Sequence, residues 1–268
     1  MKTVISQDGT SIAYDQVGQG PAVLLAAGAF SYRKYPGSLQ LADLLAKHFT
    51  VFNYDRRGRG DSGDTKPYAV EREIEDLQAL IDAAGGSAYV WGLSSGASLA
   101  LKAAANGLAI QKLVLHEPPF FVNANDRQPP KDFIEHVTYL ITSDRRDDAV
   151  KYFMTKGMGA PGFVIPLMHL MPGAWPKLKA VAHTLPYDAK LLEGYTEGKP
   201  LSGKDWGLVT MPTLVMAGSE SPAFLRHAAQ ALAEALPNAR LLTQKGLGHT
   251  RQLSTKVIAA VLIEFFKG

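Results

Sequence analysis

Short apolar runs alternate with amphipathic segments along most of the 268-residue chain. The first residues predict two strands joined by a turn at Asp8-Gly9. The apolar runs that predict buried strands are 21–30, 49–55, 88–92, 111–117, 212–218 and 239–244. The amphipathic segments that predict helices are 39–48, 70–86, 97–107, 225–236 and 255–268. Because strand and helix alternate, the pattern predicts an α/β fold with a mostly parallel central sheet flanked by helices.

This alternation is interrupted between residues 122 and 206. The segment has helical patterns broken by Pro and Gly, and it is rich in Met and aromatic residues. It is too long to be an ordinary loop. We therefore predict a core made of residues 1–121 and 207–268, with an inserted helical cap at 122–206. An insertion at the carboxyl end of a parallel sheet would lie over the crevice in which such sheets bind ligands.

Composition narrows the choice of protein class. Hydrophobic residues make up 46% of the chain and charged residues 20%, which is typical of a globular protein. The net charge of +3 is spread over the sequence, so it does not favour a nucleic-acid partner. The chain has no cysteine, which excludes disulfide bonds, thiol catalysis and cysteine-ligated metal.

The sequence also lacks the usual signals for export, membrane insertion and cofactor binding. The first residues show no basic segment followed by an apolar one, and no apolar run reaches the roughly 18 residues of a membrane span. We therefore expect a cytoplasmic protein, as a monomer or a homodimer. No His pair with i, i+4 spacing lies near a carboxylate, and no Gly-rich phosphate loop follows the first strands. Neither a metal nor any other cofactor is expected.

One motif carries chemistry. Residues 92–96, Gly-Leu-Ser-Ser-Gly, form a G-x-S-x-G pattern between a predicted strand and a predicted helix. A tight turn there would hold the hydroxyl of Ser94 clear of the helix, and the flanking glycines would allow close backbone approach. The helix N-terminus would also offer free N–H groups to a developing oxyanion.

With this motif, the chain resembles the α/β-hydrolase fold superfamily along nearly its whole length. Four stretches agree with that family in the expected order, and they are AAGAF (26–30), DRRGRGDS (55–62), GLSSG (92–96) and GLGHT (246–250). One departure is Ala27, which stands before Gly28 where the family usually has His. The resemblance implies an α/β-hydrolase core with an inserted cap, and it implies no cofactor.

The resemblance also implies roles for individual residues. Ser94 would be the nucleophile, and His249 would be the general base that accepts the serine proton and returns it to the leaving group. The backbone N–H groups of Ala29 and Ser95 would form the oxyanion hole. Phe30, like Tyr32, would either line the substrate pocket or belong to the core. The DRRGRGDS turn is interpreted as structural, with Asp55 and Arg57 holding the loop through charge-assisted hydrogen bonds.

The catalytic acid is missing from its usual place in this family. Alignment on Gly218 and Pro222 puts Ser221 there, and a serine hydroxyl could orient the histidine ring but could not supply charge. Two carboxylates remain as candidates. Glu220 is adjacent, but a shift of one residue in an extended segment turns a side chain to the opposite side. Glu117 ends the strand that follows the nucleophile strand, a position that some members of the family use, and we favour it.

The reaction that follows from these residues is acyl transfer to water. A serine nucleophile disfavours dehalogenase and epoxide-hydrolase chemistry, which in this fold use Asp. We expect a serine esterase or lactonase acting on an apolar small molecule, since the cap stretches 137–141 and 163–176 are rich in Met, aromatic and aliphatic residues. The alternatives are a C–C bond hydrolase, a cofactor-free haloperoxidase or perhydrolase, and a receptor-like ligand-binding protein with vestigial activity.

Overall fold

The computed structural model describes residues 1–249 and 253–268, so Thr250 of the GLGHT stretch lies outside the described residues. Its strands form one eight-stranded sheet in the order β1-β2-β4-β3-β5-β6-β7-β8, in which β3 to β8 are parallel. The strands are β1 (Lys2–Ile5), β2 (Ser11–Val17), β3 (Ala22–Ala26), β4 (Thr50–Tyr54), β5 (Ala88–Leu93), β6 (Ile110–His116), β7 (Thr213–Gly218) and β8 (Ala239–Gln244). The predicted mostly parallel α/β sheet is confirmed.

The described helices divide into a group that covers the sheet and a group between β6 and β7. In chain order they are α1 (Pro36–Leu45), α2 (Val70–Ala83), α3 (Ser95–Ala105), α4 (Phe133–Thr142), α5 (Arg146–Tyr152), α6 (Val164–Leu170), α7 (Ala174–Val181), α8 (Leu185–Lys190), α9 (Ala223–Ala235) and α10 (Thr255–Lys267). A π-helical turn, Phe153–Gly157, extends α5. None of these helices is both long enough and apolar enough to cross a membrane.

The core lies on both faces of the sheet because successive side chains of a strand point to opposite sides. On one face, buried side chains of the sheet pack against α2, α3 and α9, and on the other face they pack against α1 and α10. In β5, for example, Val90 belongs to the first cluster and Trp91 to the second. The apolar runs that predicted strands are therefore buried from both sides, as parallel strands require.

The segment predicted as a cap, 122–206, contains five of the described helices, α4 to α8, and no described strand. These helices form a third apolar cluster of their own around Phe133, Leu140 and Leu185. Ala29 and Phe30, in the loop after β3, pack against this cluster. The cap segment therefore lies over the loop that follows β3, at the carboxyl end of the sheet.

Candidate active site

Ser94 occupies a sharp turn between β5 and α3. Its backbone has φ 58° and ψ −126°, which is outside the ordinary regions for an L-residue. The turn is tight enough to exclude Cβ atoms on both sides of it. A Cβ on Gly92 would overlap the carbonyl oxygen of Gly96, and a Cβ on Gly96 would overlap that of Ala26. The two glycines of the motif are therefore required by close backbone approach.

Positive backbone φ angles mark the surroundings of this turn. Among the described residues, four that are not glycine have them, and they are Phe30, Ser94, Glu117 and Asp144. The first three follow β3, β5 and β6, whose carboxyl ends are neighbours in the sheet. Such conformations cost about 1–3 kcal/mol each and cluster at functional sites. The strain therefore identifies the carboxyl edge of these three strands as the candidate site.

Glu117 and His249 meet at this edge. The Glu117 side chain is fully buried, and its Oε2 accepts a hydrogen bond from Nδ1 of His249 at 3.1 Å. Its other oxygen, Oε1, accepts from the backbone N–H of Gly218 at 2.9 Å. Since a carboxylate only accepts hydrogen bonds, Nδ1 carries the proton and the Nε2 lone pair of His249 is left free to accept one.

The surroundings of Glu117 keep it ionised. Burial raises the pKa of this carboxyl, but the hydrogen bonds from His249 and from the backbone N–H of Gly218 act in the opposite direction. The net result is a pKa below the ordinary value of 4.5. Glu117 is therefore a buried anion beside an imidazole ring, an arrangement that stabilises an imidazolium when one forms.

Glu220, the competing carboxylate, does not reach the histidine. Its side chain is half exposed and its Oε1 lies 3.9 Å from Nζ of Lys245. Ser221, which takes the position usual for the acid, is buried, and its hydroxyl makes no hydrogen bond with the other described residues. The geometry therefore places Glu117, and not Glu220, against His249.

His116 is a supporting residue that the sequence pattern did not single out. It is completely buried at the end of β6, and its Nε2–H donates to the carbonyl oxygen of Leu247 at 2.7 Å. Burial lowers the pKa of His116 to about 4, so the ring is neutral at ordinary pH. This bond ties the strand end that carries Glu117 to the loop that carries His249.

The predicted oxyanion-hole donors are the residue after Ser94 and the residue after Gly28, which packs against Ser94. Within the described residues, the backbone N–H groups of Ala29 and Ser95 donate no hydrogen bond. A Cβ atom added to Gly28 would lie only 2.9 Å from the Cβ of Ser94. The loop after β3 therefore packs directly against the turn that carries Ser94. The hydroxyl of Ser94 makes no hydrogen bond to His249 among the contacts of the described residues.

Phe30 faces the cap segment. Its ring makes an edge contact with Phe153 of the π-helical turn, with ring centroids 5.6 Å apart. Both residues are close to the apolar cluster formed by α4 to α8. Phe30 therefore joins the loop beside Ser94 to the cap, whereas Tyr32 makes an edge contact with Tyr35.

The DRRGRGDS turn is held by buried ion pairs, as expected for Asp55 and Arg57. Asp55 accepts from the backbone N–H and the Nε of Arg33, and Arg57 pairs with Asp76 at 2.7 Å and Asp8 at 2.9 Å. Two further arginines of the turn are also buried, and no local sequence pattern indicates this. Arg56 and Arg59 both pair with Asp188 of α8, which is fully buried.

The described residues contain no group of three or more His, Asp or Glu side chains arranged to hold a metal ion. What they bring together is a serine on a strained turn, a buried carboxylate–histidine pair and two free backbone donors. Such a set can activate a hydroxyl, attack a carbonyl carbon and stabilise the resulting oxyanion.

Comparison with known proteins identifies the family and the fold of the chain. The family model described as "Alpha/beta hydrolase family" matches residues 23–261. The uncharacterized hydrolase YraK of Bacillus subtilis (strain 168) is 29% identical over 164 residues, 55% of this chain and 59% of that protein. The match thus spans less than two thirds of that relative's length.

Two solved structures extend the comparison. An alpha/beta hydrolase from Sphaerobacter thermophilus DSM 20745 is 50% identical, with a TM-score of 0.90 over 99% of this chain and 100% of that chain. The enol-lactonase from Burkholderia xenovorans LB400 is 19% identical, with a TM-score of 0.71 over 100% of both chains. At that identity the second likeness shows the fold alone.

Proposed function

Because this chain belongs to the alpha/beta hydrolase family, we propose that it is a serine hydrolase that cleaves a carboxylic ester or lactone through an acyl-enzyme on Ser94. The observation that carries the proposal is the buried Glu117–His249 hydrogen bond of 3.1 Å, beside a serine held at a positive φ of 58°. The acid in this arrangement follows β6 and not β7.

The reaction begins with attack by Oγ of Ser94 on the substrate carbonyl carbon. Nε2 of His249 takes the serine proton, and Glu117 stabilises the imidazolium through Nδ1–H. The N–H groups of Ala29 and Ser95 donate to the oxyanion of the tetrahedral intermediate. When the intermediate collapses, His249 returns the proton to the leaving alkoxide.

Water completes the cycle by the same groups. His249 takes a proton from the water that attacks the acyl-enzyme, and the carboxylic acid leaves as Ser94 regains its proton. The contact between Ser94 and His249 closes during this cycle, since catalytic hydrogen bonds are often long before substrate binds.

The apolar character of the cap supports an apolar substrate. The side chains near Phe30 belong to a cluster built from Phe, Leu, Val, Ile and Met residues of α4 to α8 and the π-helical turn. A small ester or lactone with an aliphatic or aryl group would bury that group against Phe30 and Phe153.

The test is covalent labelling of the protein with a fluorophosphonate probe, followed by a panel of p-nitrophenyl esters and lactones. We expect labelling at Ser94, complete loss of labelling in Ser94→Ala, and retention in Ser98→Ala. Ser98 is the matched control because it is a fully buried serine one turn along α3. A wild-type protein that is not labelled at Ser94 refutes the acyl-enzyme mechanism.

The panel also separates the alternatives. A labelled enzyme that turns over a diketone but no ester is a C–C bond hydrolase, and one that needs hydrogen peroxide is a perhydrolase. A protein that binds an apolar ligand tightly and shows no burst with any ester is a receptor-like binding protein.

A further inference from the structure

Asp188 is the most deeply buried carboxylate that the proposed mechanism leaves unused. It lies on α8 of the cap segment, and its side chain is 0% exposed. Oδ1 accepts from Nη1 of Arg56 and from Oγ of Ser95, both at 2.7 Å, and Oδ2 accepts from Nη2 of Arg59 at 2.6 Å. A single carboxylate of the cap thus holds two arginines of the core and the residue after Ser94.

The electrostatics of this cluster keep Asp188 charged. Burial raises the pKa of its carboxyl, but the charges of Arg59 and Arg56 and the hydrogen bond from Ser95 lower it by more. Arg56 has a second carboxylate partner, since Glu73 accepts from its Nε and Nη2 at 2.6 and 2.7 Å. Among the described residues, Asp188 is the only carboxylate that pairs with Arg59.

Arg59 connects Asp188 to the loop after β3. Its Nη1 donates to the carbonyl oxygen of Gly28 at 2.7 Å. That carbonyl and the N–H of Ala29 belong to the same planar peptide group, in which they point in opposite directions. The hydrogen bond from Arg59 therefore fixes the direction of the Ala29 N–H, which is one of the two proposed oxyanion donors.

The second donor is tied to the same carboxylate. Ser95 is the first residue of α3, and its hydroxyl donates to Asp188 while its backbone N–H stays free. The side chain of Ser95 is buried, so this tether is not in competition with water. Both donors of the oxyanion hole are thus connected to Asp188, one directly and one through Arg59.

We propose that Asp188 is a positioning residue, which orients the oxyanion hole from the cap through Arg59 and Ser95. This inference rests on the proposed function, because it concerns the same hole. Removing the charge of Asp188 would leave Arg59 without a carboxylate, whereas Arg56 would still be held by Glu73. Arg59 is therefore the arginine that moves, and the carbonyl of Gly28 then keeps only the longer hydrogen bond of 3.3 Å from the N–H of Ser31.

The test compares Asp188→Asn with Asp76→Asn. Both remove the charge of a buried aspartate that pairs with an arginine of the DRRGRGDS turn, but the partner of Asp76 is Arg57, which contacts neither Gly28 nor Ser95. We expect Asp188→Asn to lower kcat and the rate of fluorophosphonate labelling by about 10- to 100-fold, with KM changed by less than about threefold, since losing a whole oxyanion donor costs about 10²–10³. Asp76→Asn should lower the melting temperature and leave kcat per folded molecule unchanged.

A second readout reports on the hole itself. A trifluoromethyl ketone forms an oxyanion on reaction with the serine, so its inhibition constant should rise in proportion to the loss of kcat in Asp188→Asn. Arg59→Lys is the companion variant, in case Asp188→Asn does not fold. It keeps a buried positive charge for Asp188, but an ammonium group lacks the planar fork that lets Arg59 bond Asp188 and Gly28 at the same time, so a similar loss of kcat is expected.

The outcomes are distinguishable. Absence of labelling at Ser94 in the wild-type protein refutes the proposed function. If the wild type is labelled, and folded Asp188→Asn or Arg59→Lys is labelled at the wild-type rate with an unchanged inhibition constant, the positioning role of Asp188 is wrong. Equal losses of kcat in Asp188→Asn and Asp76→Asn would also overturn the positioning role. The loss would then follow from removing any buried carboxylate that pairs with an arginine of the DRRGRGDS turn.

Discussion

Substitution of Glu117 by glutamine tests the proposed acid most directly. The change preserves the shape of the side chain and removes its charge. The carboxylate accepts from Gly218 on one oxygen and from His249 on the other, and an amide has only one oxygen. With its NH₂ group toward His249, glutamine would favour the tautomer protonated on Nε2, which cannot take the proton of Ser94. With its NH₂ group toward Gly218, two donors would face each other.

The magnitude follows from the distance of the pair. At 3.1 Å and an effective dielectric constant of about 20, a carboxylate attracts an imidazolium by about 5 kcal/mol. That free energy corresponds to a rate factor of about 10⁴. Since the charge pair exists only after proton transfer to His249, the loss falls on kcat. We therefore expect Glu117→Gln to lower kcat by about 10³- to 10⁴-fold with little change in KM.

The assay is steady-state hydrolysis of the best p-nitrophenyl ester from the panel, with circular dichroism and thermal unfolding to establish that the variant folds. Glu220→Gln is the matched control, because it removes a half-exposed carboxylate whose Oε1 lies 3.9 Å from Nζ of Lys245. It should keep the wild-type kcat. The assignment is refuted if Glu117→Gln keeps more than about a tenth of the wild-type kcat, or if Glu220→Gln suffers the large loss instead.

Two further predictions concern stability. Because the pKa of Glu117 is lowered from its ordinary 4.5, its ionisation stabilises the fold above that pH, and the contribution is lost as the pH falls through the lowered pKa. The melting temperature of the wild type relative to Glu117→Gln should therefore decrease as the pH falls below 4.5, and a constant difference would contradict this. Gly96→Ala should lower the free energy of unfolding in urea by about 1–3 kcal/mol, because its Cβ would overlap the carbonyl of Ala26. Gly162→Ala, with no neighbour within 4 Å of the new Cβ, should be near neutral, and equal effects of the two substitutions would refute the packing argument.

The sequence predicted the sheet well because its strands are apolar runs bounded by turn residues. Strand β8 has the predicted bounds, and the other strands differ by a few residues at their ends. Helix starts were less accurate. Helix α3 begins at Ser95 and not at residue 97, since its first two residues, Ser95 and Gly96, carry no apolar side chain. Helix α1 begins earlier than predicted, at Pro36, which suits the first position of a helix.

Some residues of the candidate site could be predicted from the local sequence, and others could not. Ser94 and His249 lie in short motifs, so their neighbours along the chain identify them. Glu117 was favoured for its position at the end of the strand beside the nucleophile strand, and that reasoning agrees with its bond to His249. The contacts of Asp188 could not be predicted, because they join residues 129 and 132 positions apart through burial that no local pattern encodes.

These contacts limit how far the predicted cap, 122–206, can be treated as an exchangeable module. A chimera that replaced residues 122–206 with the corresponding segment of another hydrolase would delete the carboxylate and keep the arginines. Removing one partner of such a buried ion pair lowers the free energy of unfolding by about 3–5 kcal/mol, which is more than the effect of replacing both partners together. A transplanted cap would therefore have to bring an acidic side chain to the position of Asp188, or Arg59 would have to be neutralised in the recipient. A recombination of this protein with another hydrolase therefore has to keep these charges paired as well as keep the chain connected.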